Sequence, residues 1–199
     1  MRKIIISVFL VLFTAFLVSV QTGCSQNNKK EMSNAELVKR GKYLVNFGGC
    51  NDCHSPKIMT DKGPVPDTTK LLSGFQAGTA LMPIDTSAGN SRWVHTTMDL
   101  TVWVGPWGVS FPANLTPDGA TGIGNWTPEI FISAMRTGKH MGMGRPILPP
   151  MPWPSLAGLE DEDLRAIFAY LKSLKPINNQ VPNPIAPNMV GQVQNMSTK

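Results

Sequence analysis

Charged residues are scarce in this 199-residue chain: they make up 16% of it, against 42% hydrophobic residues. That balance excludes a disordered chain, which would combine few apolar residues with a high net charge. Lysine and arginine form no cluster, so the formal charge of +5 gives no reason to expect a nucleic-acid partner. The 18 glycines and 17 prolines favour one loop-rich globular domain with only a few helices.

The start of the chain has the pattern of an export signal. Arg2 and Lys3 precede an almost wholly apolar run over residues 4–20, and small residues follow that run. A membrane-spanning helix is the competing interpretation, but the run is at the short end for a span and no charged stop follows it. The pattern predicts a signal peptide over residues 1–23 and a protein exported from a bacterial cytoplasm.

Cysteine is scarce too, with three residues in the whole chain. The first of them, Cys24, ends a segment that resembles a bacterial lipoprotein box, although Gln21 stands where such boxes usually have leucine. The resemblance implies an acylated Cys24, residues 24–32 as a polar tether, and a periplasmic protein or one anchored at the outer face of a membrane. The alternative is a stray cysteine beside an ordinary cleavage site.

The other two cysteines belong to the sequence Cys-Asn-Asp-Cys-His at residues 50–54, the attachment pattern for c-type haem. Two thiols at this spacing reach the two vinyl groups on one edge of a porphyrin. The next residue is then placed under the iron, where its imidazole is the proximal ligand. The motif predicts one covalent haem c attached to Cys50 and Cys53, with His54 as an axial ligand.

Two other chemistries use a pair of cysteines at this spacing. A thioredoxin-like redox pair needs a βαβ setting, which the sequence does not show. A structural zinc site needs four ligands, and His95 and His140 stand far apart and alone. The motif occurs once, which excludes a relay of several haems within the chain.

The sequence predicts a helix near each end of the domain. Ser33 and Glu36 form a capping box, and a helical spacing continues to Phe47 before two glycines end it. An acidic first turn at residues 160–163 begins a second helix, which ends before Pro176. The apolar stripe of this helix is Leu164, Ile167, Phe168, Leu171 and Leu174.

A third helix is predicted between these two. Thr127 suits its N-cap and Pro128 its first position, and Gly138 would end it after Thr137. The domain is predicted to cover residues 33–176. Within it, residues 55–113 are a loop-rich insertion, in which residues 93–104 have the composition of one or two short strands. Residues 177–199 are predicted to be an extended tail.

A helix leading into C-x-x-C-H, and a final helix of the form D-E-D-L-x-A-I-x-A-Y-L-K-S-L, resemble class I cytochrome c. The runs at 114–118, 121–127 and 136–138 are similar to cytochrome c subunits associated with periplasmic dehydrogenases. The resemblance covers residues 33–54 and about 105–175. It implies a mainly α, cytochrome c-like fold with a few helices around one haem.

The class I resemblance also implies a methionine ligand in a loop before the last helix. Met151 fits, since it lies in the proline-rich run 148–154, and prolines stiffen such a loop. Met141 and Met143 are rival ligands, and His140 would instead give a bis-histidine site. Arg136 and Arg145 are candidates for pairing with haem propionates, or are plain solvated surface.

The function expected from the motif and the resemblance is electron transfer with His54 and Met151 as axial ligands, and no catalysis. The partner would be a dehydrogenase, a respiratory complex or an oxidase. The alternatives are a redox subunit of a periplasmic dehydrogenase, a haem enzyme whose sixth ligand is displaceable, and a haem-free thiol or metal protein.

Overall fold

The computed structural model describes residues 31–81 and 93–190, and the chain divides into one unit over residues 1–32 and another over residues 33–199. The helices and strands below all belong to the second unit. The predicted signal peptide and Cys24 lie outside the described residues. Within those ranges no helix is both long enough and apolar enough to span a bilayer.

The described part of the second unit is mainly helical, with two small antiparallel sheets. In chain order its helices and strands are α1 (Asn34–Phe47), α2 (Cys50–His54), β1 (Lys57–Thr60), β2 (Gly63–Pro66), β3 (His95–Thr96), β4 (Trp103–Gly105), β5 (Gly108–Ser110), α3 (Pro128–Thr137), α4 (Trp153–Ala157) and α5 (Asp161–Lys172). Short 3-10 turns occupy Thr68–Lys70, His140–Gly142 and Pro187–Met189. The predicted fold class, helices with a loop-rich insertion that holds short strands, is confirmed.

Local capping explains where the longer helices begin and end. Ser33 and Glu36 make both hydrogen bonds of the predicted capping box at the start of α1. The Thr127 side chain accepts a hydrogen bond from the Ile130 backbone N–H at the start of α3, and Gly138 ends that helix in the left-handed region. The predicted starts and ends of α1 and α3 are therefore confirmed.

Helix α1 packs directly against α5. At Gly41 the two backbones approach so closely that a Cβ atom would lie 1.9 Å from the Ala166 carbonyl oxygen. The arginine at position 40 adds an ion pair across the same crossing, since Arg40 Nε lies 2.9 Å from Asp163 Oδ1. The ends of the domain sequence thus meet in one helix pair.

The apolar side chains form two cores. The first lies between α1, α3 and α5 and comprises Val45, Leu72, Ile123, Phe131, Ala134, Met135, Leu164, Ile167, Phe168 and Leu171. The second lies around the three-stranded sheet and comprises Phe75, Val102, Val104, Val109, Phe111 and Val190. Burial of these side chains is the main force that stabilises both parts of the domain.

The insertion contains more sheet than the sequence predicts. Strands β3 and β4 fall in the predicted region 93–104, and β4 pairs with β5 in an antiparallel register that places Val104 opposite Val109. Strands β1 and β2 form a further hairpin, with Thr60 paired to Gly63, which composition did not predict. Two prolines in β2 weaken its strand signal, and a two-stranded sheet accepts them because its strands are edges.

The chain after α5 is extended but lies against the rest of the domain. Ile185 and Val109 exchange two backbone hydrogen bonds of 2.9 Å, which adds a bridge beside β5. Val190 is buried in the second core, and Asn179 is buried beneath the chain around Ser73. The packed part of the chain therefore continues past residue 176, the predicted end of the domain.

Candidate functional site

The C-x-x-C-H motif folds as the short helix α2, directly after α1. Gly49 connects the two helices with a φ of +65°, a conformation that suits glycine. Cys50 and Cys53 are three residues apart in this helix, so their side chains share one face. Both thiols are free and half-buried, and burial is the main cause that raises the pKa of each.

His54 is the buried end of the motif, with 8% of its surface exposed. Its Nδ1 lies 2.8 Å from the Ala113 carbonyl oxygen, which can only accept a hydrogen bond. The proton of the neutral ring is therefore on Nδ1, and the lone pair is on Nε2. Burial is also the main cause that lowers the pKa of His54, so the ring is kept in the neutral form that binds iron.

The insertion surrounds this helix. The Gly74 backbone N–H donates to the His54 carbonyl oxygen at 2.7 Å. The hydroxyl of Ser55, which is fully buried, accepts a hydrogen bond of 2.8 Å from the backbone of Leu72. The Trp103 indole N–H donates to the Leu100 carbonyl oxygen at 2.8 Å, and its side chain acts to lower the pKa of the Cys53 thiol. Residues 55–113 thus position the motif from its carboxyl end and from the histidine side.

Lys57 is a residue of this site that the sequence did not single out. Its ammonium donates to the carbonyl oxygens of Asn51, Asp52 and Ser55 at the end of α2. A lysine three residues after a motif has no distinctive sequence signal. The Ala113 carbonyl could not be found either, because a backbone acceptor leaves no trace in residue identity.

Met151 lies on the segment before α4, partly buried. Its backbone N–H donates to the Leu148 carbonyl oxygen at 3.3 Å, and its side chain packs against the first core, as Cys50 does. The rivals are placed differently. Met143 is 86% exposed and Met141 is 42% exposed.

His140 is engaged elsewhere in the structure. Its ring meets the Trp126 ring edge-on, with centroids 5.1 Å apart. Burial lowers the pKa of His140, with a smaller contribution from the charge of Arg145. This edge contact gives the imidazole a packing role beside the first core.

Of the two arginines considered for the propionates, Arg136 is bonded within the protein. Its guanidinium donates to the carbonyl oxygens of Ala157 and Leu159 and to the Asp161 carboxylate, so it joins α3, α4 and α5. Arg145 is exposed, and its guanidinium donates to the Pro146 carbonyl oxygen at 3.3 Å.

The donor set fits a covalently attached porphyrin. Two thiols lie on one face of a helix, and the next residue is a buried neutral imidazole whose Nδ1 is already bonded to protein. In the described part of the chain, no three side chains of His, Cys, Asp or Glu come together as metal ligands. Among residues 31–81 and 93–190, the two thiols and His54 have no further protein ligand of the kind that a structural zinc site needs.

Comparison with known proteins agrees with this chemistry. The sequence profile of the Cytochrome c family matches residues 38–175. The gluconate 2-dehydrogenase cytochrome c subunit of Pantoea cypripedii is 30% identical over 162 residues, which cover 78% of this chain and 29% of that subunit.

Two further relatives extend the comparison. The cytochrome c subunit of the quinone alcohol dehydrogenase of Gluconobacter oxydans is 40% identical over 150 residues, 74% of this chain and 24% of the relative. A nicotinate dehydrogenase subunit of Pseudomonas putida is 28% identical over 148 residues, 74% of this chain and 9% of the relative. The chain spans less than a third of the length of these curated relatives.

Proposed function

Because the chain belongs to the cytochrome c family, we propose that it transfers electrons through a haem held between His54 and Met151 and fixed by Cys50 and Cys53. Its cofactor is covalently bound haem c and its function is electron transfer. The observation that most supports the assignment of residues is the buried His54 ring. Its Nδ1 is bonded to the Ala113 carbonyl oxygen, which leaves the lone pair of the neutral ring on Nε2, where it could bind a metal.

Each residue has a separate part in this proposal. The sulfurs of Cys50 and Cys53 form thioethers with the two vinyl groups, which keeps the cofactor in place. When bound, the haem supplies an iron that gains and loses one electron. His54 and Met151 would supply the two protein ligands of that iron, and a thioether ligand would favour its ferrous state. With two protein ligands the iron would have no position left for a substrate, which fits a carrier of electrons and not a catalyst.

Met151 is tested by spectroscopy on protein made with a c-type maturation system. We expect Met151→Ala to remove the near-infrared charge-transfer band from sulfur to ferric iron and to lower the reduction potential. Met143→Ala is the matched control, because that side chain is almost fully exposed, and it should leave both unchanged. A band that persists in Met151→Ala, or disappears in Met143→Ala, would place the ligand elsewhere.

We also propose that the electron donor is a dehydrogenase, as the names of the relatives suggest. Those relatives are named as subunits of dehydrogenases, while this chain is shorter than any of the three. Affinity purification of the chain from its own bacterium tests the point. Co-purification of a large catalytic subunit whose substrate reduces the haem supports it, and a chain that elutes alone and is not reduced by such a subunit contradicts it.

We further propose that the chain acts outside the cytoplasm, held at a membrane surface by a lipid on Cys24. The support is in the sequence alone, in the apolar run and the small residues before that cysteine. Several acyl chains on one cysteine would anchor the protein stably, whereas a single chain would not. Labelled fatty acid should enter the wild-type chain but not Cys24→Ser, and equal labelling of the two would refute the proposal.

A further inference from the structure

The Lys57 side chain closes the carboxyl end of α2. Its Nζ lies 3.0 Å from the Asn51 carbonyl oxygen, 2.9 Å from that of Asp52 and 2.6 Å from that of Ser55. An ammonium group has three protons to donate, and here each has a carbonyl acceptor. Carbonyl oxygens at the end of a helix carry partial negative charge, which favours a cation there. The Asn51 carbonyl oxygen also accepts from the Ser55 backbone N–H at 3.3 Å, so the lysine adds further hydrogen bonds at this end and is itself held in one position.

The surroundings of Lys57 differ from those of an ordinary surface lysine. The side chain is partly buried, and burial is the main cause that lowers the pKa of its ammonium. The carboxylates of Asp52 and Asp99 act in the opposite direction and raise that pKa. After burial and the hydrogen bond to Ala113, the positive charge of Lys57 is a further influence on the pKa of His54, which it lowers. The field of this charge therefore reaches the imidazole.

We propose that Lys57 is a positioning residue of the haem site, whose ammonium holds the end of α2 and raises the reduction potential of the iron. This inference rests on the proposed function. Ferric iron has one more positive charge than ferrous iron, so a fixed positive charge nearby disfavours the ferric state. Partial burial limits screening by salt and keeps the effect larger than that of an exposed lysine. The negative charge of Asp99, which acts on the Lys57 ammonium, should have the opposite influence on the iron.

The test is a spectroelectrochemical titration of the haem-loaded chain. Lys57→Gln keeps hydrogen-bond donors but removes the charge. We expect the ratio of ferric to ferrous haem at a given potential to be at least threefold higher than in the wild type. At 59 mV per tenfold change for one electron, this is a potential lower by about 28 mV. Two control variants should each change the ratio of ferric to ferrous haem less than twofold. Lys57→Arg keeps the charge, and Lys62→Gln removes an exposed charge in the turn of the β1–β2 hairpin.

Asp99→Asn provides a second test with the opposite sign. Asparagine keeps the oxygen that accepts from the Thr97 hydroxyl and the Thr101 backbone N–H, and its amide NH2 replaces the oxygen that accepts from the Thr101 hydroxyl, which can turn to accept instead. The carboxylate charge is removed. We expect the ferrous state to be favoured at least twofold, a potential higher by about 18 mV. This variant decides the question if Lys57→Gln does not acquire haem.

A wild-type potential in haem-loaded Lys57→Gln or in Asp99→Asn would overturn the inference and leave the proposed function intact. A shift in Lys62→Gln as large as that in Lys57→Gln would overturn it as well, because the effect would then come from net charge and not from this position. A wild-type chain that acquires no haem at all would defeat the proposed function and this inference with it.

Discussion

Individual polar residues fix the loops around the motif by bonding to backbone groups far away in sequence. Asn179 is the clearest case: its Nδ2 donates to the carbonyl oxygens of Ser73 and Phe75 at 2.7 and 2.8 Å, and its Oδ1 accepts from the Ala77 backbone N–H at 2.9 Å. Its own backbone N–H donates to the Thr121 hydroxyl. One buried side chain thus ties the segment after α5 to the loop that follows Leu72.

Removing that side chain should be costly. Asn179→Ala leaves buried carbonyl and amide groups without a partner, and each such group costs about 1–3 kcal/mol. We expect the free energy of unfolding of the haem-loaded chain to fall by about 2–4 kcal/mol, measured by urea denaturation. Gln180→Ala is the matched control, because Gln180 is exposed and its side chain reaches only Val181. Equal stability of the two variants would contradict the role given to Asn179.

At this scale the sequence predicts the reactive residues and misses those that hold them. Cys50, Cys53 and His54 have a spacing that their chemistry requires, so they are readable from the sequence alone. Lys57, Asn179 and the Ala113 carbonyl act through contacts that only the folded chain brings together. Arg136 likewise donates to backbone carbonyl oxygens within the protein, and residue identity alone does not reveal those contacts.

Among the helices, the pair formed by α1 and α5 positions the motif. Helix α1 runs into α2 through Gly48 and Gly49, so the orientation of α1 sets the position of Cys50. The close approach at Gly41 allows α5 to lie directly on α1. Any side chain at this position would push the two helices apart.

Gly41→Ala tests this packing, because the close approach reverses the usual effect of this substitution on the free energy of unfolding. In an exposed helix interior, glycine to alanine stabilises by about 1 kcal/mol. At Gly41 the new Cβ would lie 1.9 Å from the Ala166 carbonyl oxygen, which is backbone and cannot turn aside. We therefore expect a loss of about 1–3 kcal/mol in the free energy of unfolding, measured in urea.

Lys42→Ala in the same helix is the control for Gly41→Ala. Lys42 is exposed, so its truncation should change the free energy of unfolding by no more than about 0.5 kcal/mol. If Gly41→Ala proves more stable than the wild type, the two helices do not approach as described.

The sequence predicts those helices whose ends depend on residues close together in the chain. The start of α1 depends on Ser33 and Glu36, three residues apart, and that of α3 on Thr127 and Pro128, which are adjacent. The hairpin of β1 and β2 has no such signal, because it has two prolines and several exposed apolar side chains. Its pairing depends on the insertion as a whole, which folds back on the motif.

At the scale of the whole domain, the described residues form two apolar cores. The C-x-x-C-H motif is in contact with the part of the chain that holds each of them. Cys50 packs against the helical core, while the insertion that holds the sheet core supplies the Ala113 acceptor for His54 and the Gly74 N–H that donates to the His54 carbonyl oxygen. The segment after α5 joins the sheet at Val109. A motif held from both sides has little freedom to move when the charge of a bound iron changes.

The central claim, one haem fixed covalently by two thioethers, is tested most directly by the mass of the mature protein. Wild-type chain made with a c-type maturation system should retain one haem per polypeptide after denaturation, and Cys50→Ser with Cys53→Ser should retain none. A colourless wild-type chain at its polypeptide mass, with both thiols open to alkylation, would contradict the account.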